Sequence, residues 1–193
     1  MIALRTCFTG PAALACRLGC ALLFLLAAPP PAPARAATPT PGPPLTIRRL
    51  SAPITLDGNL DDPGWKDATP VTQWFETKVS DNAVPAVRNL AYLAYDDKYF
   101  YAGFEFDDPD PKRIRAPLGD HDNLSGYTDY GGVIVDSRND ARTAQLFLAN
   151  ANGLQYDALS SDVSGEDSSP DYFWDAAGKV TASGWNLELR IPF

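Results

Sequence analysis

The chain has 193 residues, 45% of them hydrophobic and 21% charged. That size fits one domain with appendages, and that composition excludes wholesale disorder. The first 36 residues hold Arg5, Arg17 and Arg35 and no acidic side chain, which leaves 13 basic against 24 acidic side chains in the rest, a formal charge of −11. A surface so negative, with no Lys/Arg cluster, repels phosphate backbones and excludes nucleic-acid binding.

The chain opens with an export pattern. Arg5 and Arg17 precede the apolar run Leu18 to Ala28, and Ala34-Arg35-Ala36 supplies a small-x-small cleavage site. The run is shorter than the ~20 residues a membrane span needs, and Pro29-Pro30-Pro31 would end a core helix there. Residues 1–36 are therefore predicted to be a signal peptide. The mature protein is expected in the periplasm, in association with the outer membrane or outside the cell, with no membrane span of its own. Cys7, Cys16 and Cys20 all fall in this leader, so the mature chain carries no thiol into an oxidising compartment. Residues 37–46 read as a Pro-rich linker.

From residue 47 the pattern is one of strands. Phe100, Ala102, Phe104 and Phe106 form an apolar face of period two, and Trp185, Leu187, Leu189 and Ile191 form another. Asn186, Glu188 and Arg190 alternate with the second set as its polar face. Val87–Tyr95, Gly132–Val135 and Ala144–Leu148 are further strand candidates. Asp96-Asp97-Lys98 and Ala182-Ser183-Gly184 read as hairpin turns. One short helical turn is predicted over Asp62–Ala68, with Asp62 capping and Pro63 at its first position. The acidic residues are 20 Asp and only 4 Glu, which agrees with turns rather than helices. An all-β antiparallel β-sandwich is predicted.

The carboxylates are too numerous for any pair to mark a glycosidase. His121 is the only histidine, and its polar surroundings read as a solvated loop rather than a catalytic base. One histidine and no mature cysteine exclude zinc. Hard-oxygen clusters at Asp57 and Asp61, and at Asp120 and Asp122, offer loops for structural calcium without the full EF-hand spacing. Among the aromatic rings, Trp185 is in phase with the core and Trp65 is placed at one end of the sandwich. Trp74 and Trp174 stay open between core and ligand, with Phe75 and Phe173 on the opposite faces. Tyr127 and Tyr130 lie in a polar loop before a strand, and exposed rings stack on sugars.

Several segments in order resemble a known family. Ile54-Thr55-Leu56-Asp57-Gly58 with Asp61-Asp62-Pro63-Gly64-Trp65 resembles the "I-x-L-D-G-x-L-D-E-P-x-W" opening of family 9 carbohydrate-binding modules. Leu93-Ala94-Tyr95-Asp96-Asp97 with Tyr99-Phe100-Tyr101 resembles their "V-x-Y-D-D-x-x-L-Y-V" hairpin. Asp129 with Val133-Ile134-Val135-Asp136 resembles "D-x-V-E-I-x-I-D", Phe147 to Asn150 with Gly153 resembles "F-x-x-N-x-x-G", and Gly184-Trp185 to Phe193 resembles "G-W-x-x-E-x-x-I-P-F". The similarity covers residues 47–193 and is nearest to the variant at the N-terminus of large exported bacterial proteins.

The resemblance implies a DOMON-like, jelly-roll-like sandwich, non-catalytic binding of polysaccharide or oligosaccharide in the service of polysaccharide catabolism, and structural calcium. It also implies an incomplete sandwich, because the family pattern runs on for several strands past "I-P-F"; a missing C-terminal region is then a partner of this one. Haem, which related DOMON modules hold through Met and His, is excluded because Met1 is the only methionine. Sugar-binding members clamp a terminal sugar between two Trp and use an Arg in the strand before the Asn. Here Leu148 stands at the Arg position and Gly126-Tyr127 at the first Trp. The sugar site is therefore expected at a loop edge formed by Tyr127, Asp129, Asn150 and Trp174. The alternative is a structural or protein-interaction sandwich of an envelope protein, without sugar affinity.

Overall fold

The two apolar stripes read from the sequence turn out to be each other's partners. In the computed structural model, which describes residues 44–77, 83–124 and 126–193, strands β4 (Tyr99–Asp107) and β10 (Gly184–Pro192) pair antiparallel along their whole length. Phe106 faces Trp185, Phe104 faces Leu187, Ala102 faces Leu189 and Phe100 faces Ile191. The predicted leader and the linker up to residue 43 lie outside the described residues.

Around that pair the larger sheet runs β1-β3-β4-β10-β9, built with β1 (Arg48–Arg49), β3 (Asn89–Tyr95) and β9 (Asp175–Val180). The short β2 (Thr69–Val71) pairs with β3 as well. The smaller sheet runs β5-β6-β7-β8, with β5 (Tyr130–Val135), β6 (Thr143–Asn150), β7 (Gln155–Ser161) and β8 (Gly165–Asp167), all pairs antiparallel. The fold is an all-β sandwich. The predicted hairpin turns join β3 to β4 and β9 to β10. The helical turn is a 3-10 turn over Pro63–Asp67 with Pro in its first turn. Asp62 makes no side-chain cap there; its carboxylate accepts the Thr55 N–H instead.

The core between the sheets joins Ala102, Phe104, Trp185, Leu187 and Leu189 to Phe147, Ala149 and Trp174 from the other side. Each large apolar side chain buried here contributes about 1.5–3 kcal/mol. Phe100 and Phe106, expected to be buried, are only half-buried because they lie near the two ends of β4. The sheets approach closely at Gly131, where a Cβ would meet the Phe106 ring at 2.5 Å.

A second apolar cluster lies on the outer face of the larger sheet. Ile54, Trp65, Ala68, Ala94 and Tyr101 form it, with Leu50, Leu56 and Leu60 packed against them. This corrects two expectations. Trp65 covers a sheet face: its ring lies over Gly103 of β4, where a Cβ would meet it at 3.0 Å, rather than plugging an end of the sandwich. And the polar face of β10 is not all solvated, because the segment carrying Trp65 covers it: Glu188 is fully buried.

Glu188 closes this face. Its Oε1 accepts the Trp65 indole N–H at 2.9 Å, and its Oε2 accepts the backbone N–H groups of Asp57 at 2.8 Å and Gly58 at 2.7 Å. Gly58 adopts φ +80°, and a Cβ there would meet Lys179 at 2.6 Å, so only glycine makes this turn without strain. Burial pushes the Glu188 carboxyl above the usual carboxylate range, against the opposing pull of those three donors.

Candidate functional site

One end of the sandwich is made of long connections. The stretch between β4 and β5 is well beyond the ~12–15 residues at which irregular loops become uncommon and mostly functional. It holds one 3-10 turn, Pro111–Arg113, and is tied down from two sides. Asp129 Oδ2 accepts the Arg115 N–H at 2.7 Å while the Asp129 N–H donates to Arg115 O at 2.8 Å. The Arg115 guanidinium lies 3.4 Å from the same carboxylate. From the turn after β6, the side-chain amides of Asn150 and Asn152 donate to the carbonyls of Pro117 and Ala116.

Asn150 belongs to the scaffold. It is fully buried, and its Oδ1 accepts the N–H groups of Asn152 at 2.9 Å and Leu154 at 3.0 Å. All of its reach is spent on the turn and the long loop, so the ligand-contact role expected of it is corrected to a positioning one. Trp174 needs a similar correction. It is 6% exposed, packs edge-on to Phe147 with centroids 5.5 Å apart, and donates its indole N–H to Asp157 Oδ2 at 2.8 Å. Phe173, expected to supply the core contact, is 95% exposed. The two rings have exchanged places because the hydrogen-bonding indole, not the plain phenyl ring, can satisfy the buried carboxylate of Asp157.

Asp157 was not singled out in the sequence. It is fully buried in β7; its Oδ1 accepts the Tyr172 N–H at 3.1 Å. His121 Nε2 lies 3.4 Å from Asp157 Oδ2, and His121 Nδ1 lies 3.0 Å from Asp122 Oδ2 and 4.0 Å from Asp171 Oδ1. The histidine expected in a solvated loop is thus half-exposed and bridges a buried carboxylate to two outer ones. The only sequence signal was an Asp at an inward position of β7, paired in register with Phe147.

The calcium expectation divides between two places. At Asp57 and Asp61 the loop turns its N–H groups towards Glu188, and the Asp57 carboxylate caps the Asn59 N–H at 2.8 Å. Among the described residues one group of three potential ligands lies together, His121, Asp122 and Asp171. Asp120 is not in it, and a histidine nitrogen is a poor partner for a cation that takes oxygen ligands.

The long loop carries surface that is open to a ligand. Tyr127 is 80% exposed. Two residues on, Asp129 and Arg115 line a charged concavity of about 440 Å³ with Asp108, Asp110 and Arg113. A second hollow of about 320 Å³ is lined by Leu118, His121, Asn152 and Gln155. Carboxylates and guanidinium groups around a hollow can bind hydroxyl groups, and an exposed ring on the same loop can stack an apolar sugar face.

No protein-family model matches the chain, and no curated protein matches it. Among solved structures it is similar to a family 9 carbohydrate-binding module from Caldicellulosiruptor kristjanssonii in complex with cellotriose, with a TM-score of 0.50 and 17% identity, over 76% of this chain and 67% of that one. A family 9 carbohydrate-binding module from Caldicellulosiruptor kristjanssonii in complex with glucose is similar with a TM-score of 0.49 and 17% identity, over 76% of this chain and 68% of that one. The likeness to the cellotriose complex shows that this sandwich has the fold of a family 9 carbohydrate-binding module.

Proposed function

We propose that this protein is an exported, non-catalytic module that binds polysaccharide or oligosaccharide at the long-loop end of the sandwich, and so directs a larger protein to its polysaccharide. The observation that carries the reading is the exposed Tyr127 ring, two residues along the chain from Asp129, whose pair with Arg115 lines a charged hollow. The fold and the ordered motifs support it, and the leader pattern over residues 1–36 supports export. One sugar on one ring with two or three hydrogen bonds gives weak binding, roughly 10 μM to 1 mM, or about 4–7 kcal/mol.

A second reading is an interaction sandwich without sugar affinity. The burial of Trp174 and Asn150 favours it, since the fold takes two of the four expected contacts. Retention of the purified protein on a panel of insoluble glycans separates the two. The first reading expects retention on at least one polysaccharide, release by its soluble oligosaccharide and no hydrolysis products. Passage through every glycan leaves the interaction reading in place.

A further inference from the structure

His121 is placed as a metal-bound histidine is placed. Its Nδ1 lies 3.0 Å from Asp122 Oδ2 and 4.0 Å from Asp171 Oδ1, while its Nε2 lies 3.4 Å from Asp157 Oδ2. Two ligand atoms, each ~2.1 Å from one zinc ion, stand ~3–4 Å apart, which is the spacing of Nδ1 from the two outer carboxylates. A histidine that ligates through one ring nitrogen is as a rule oriented by a carboxylate at the other. The fully buried Asp157 stands in that place, itself fixed by the Trp174 indole and the Tyr172 N–H.

The two outer carboxylates come from different connections. Asp122 sits at φ 64°, where its N–H donates to the Gln155 carbonyl at 3.0 Å and its Oδ1 accepts the Asp157 N–H at 3.1 Å. Both contacts are to β7, and Oδ2 is left to face His121. Asp171 is exposed and arrives from the connection between β8 and β9. Charge makes the second argument. Among the described residues, the ion pairs of Asp122, Asp157 and Asp171 are all with His121. One imidazole supplies at most one positive charge against three carboxylates, one of them fully buried, and charges so placed are paired or coordinate metals.

We infer that His121 Nδ1, Asp122 and Asp171 form a site for one divalent transition-metal ion of the zinc type, with Asp157 orienting the histidine from behind. Imidazole suits such ions, whereas calcium takes oxygen ligands. Sequence spacing spoke against zinc because it offered a single histidine; the fold brings Asp171 to it. Three protein ligands leave a further position for water. Bound there, the ion clasps the loop between β4 and β5 to the segment before β9. This inference stands apart from the sugar reading.

The test uses the full chain without an affinity tag, stripped with EDTA, its three cysteines capped with N-ethylmaleimide so that no thiol competes. Zinc chloride is titrated by calorimetry while the imidazole nitrogen resonances are followed by NMR; His121 is the only histidine, so the signals are its own. One ion per chain is expected, at a Kd of roughly 1–100 μM, with the Nδ1 resonance moved much further than Nε2. Calcium chloride at the same concentrations should move neither. Asp171→Asn, at an exposed position, keeps the fold and should weaken zinc at least tenfold, as should His121→Gln. Asp162→Asn, which removes a carboxylate paired with Arg142, should bind as wild type does. Absence of zinc binding leaves the cluster a plain histidine–carboxylate ion pair and overturns the inference. Wild-type affinity in both cluster variants, a shift at Nε2 instead of Nδ1, or calcium binding as tight as zinc overturns it as well.

Discussion

Two buried carboxylates, on opposite sides of the larger sheet, are held in the same way. Glu188 accepts the Trp65 indole and the N–H groups of Asp57 and Gly58. Asp157 accepts the Trp174 indole and the Tyr172 N–H. The difference is what lies beyond them. The Glu188 knot is closed by the Asp57–Gly58 turn and the Trp65 ring. Asp157 continues through His121 to Asp122 and Asp171 at the surface, where the long loop and the turn after β6 meet. One device fastens the chain to the outer sheet face; the other anchors the loops that carry the candidate site. A tryptophan and a carboxylate in one motif are therefore no evidence of ligand contact until their hydrogen bonds have been followed outward.

The largest effect is expected on the closed side. Glu188→Ala strands two buried donors and one part-buried donor and should cost about 3–5 kcal/mol in urea unfolding, with sugar binding unchanged in the protein that remains folded. Asp157→Ala strands two donors and should cost about 2–4 kcal/mol; it should also weaken sugar binding, because it frees His121 and the Tyr172–Trp174 segment. Equal effects of the two variants on binding would erase the comparison.

The pH dependence sharpens the closed side alone. Burial raises the Glu188 carboxyl in the folded state, so the native state binds the proton more tightly than the unfolded chain. That contribution is fully present below the unfolded value of about 4.3 and is lost as pH rises through the raised folded value. The margin of wild type over Glu188→Gln should therefore narrow with rising pH in that window. A margin that widens contradicts the assignment. Chelator tests the acidic loops: structural calcium at either lowers the thermal midpoint when it is removed, and an unchanged midpoint leaves Asp57, Asp61, Asp120 and Asp122 as solvated turns. Loss of a site occupied at 100 times its Kd would cost about 2.7 kcal/mol, a shift that calorimetry would register.

The sequence made the central hairpins legible because period two is a local signal. Phe104 and Leu187 had only to alternate with their neighbours to reveal the inner face. Glu188 escaped because alternation labels a residue outward without saying whether that face is covered, and its cover comes from a segment more than a hundred residues earlier. Phe173 and Trp174 were inverted for a related reason. They lie just before β9, outside any strand, so no periodicity sets their faces, and Asp157, which decides them, is distant in sequence. β1, β2 and β8 were not read at all, being two or three residues long and defined by their partners, and the seven-residue β7 was not read either. Of the expected sugar contacts, Tyr127 and Asp129 stay at the surface edge, whereas Asn150 and Trp174 serve the scaffold.

The central claim is that the open ring of the long loop, and not the buried indoles, meets the sugar. Tyr127→Ala measures it most directly, because a side chain this exposed should change stability by no more than about 0.5 kcal/mol. Titration of wild type and variant with soluble oligosaccharides, by calorimetry at matched concentrations, should show weak saturable binding for wild type and at least a tenfold loss for Tyr127→Ala, about 1.4 kcal/mol. Equal affinity of the two proteins would contradict the account and place the sugar elsewhere on the sandwich.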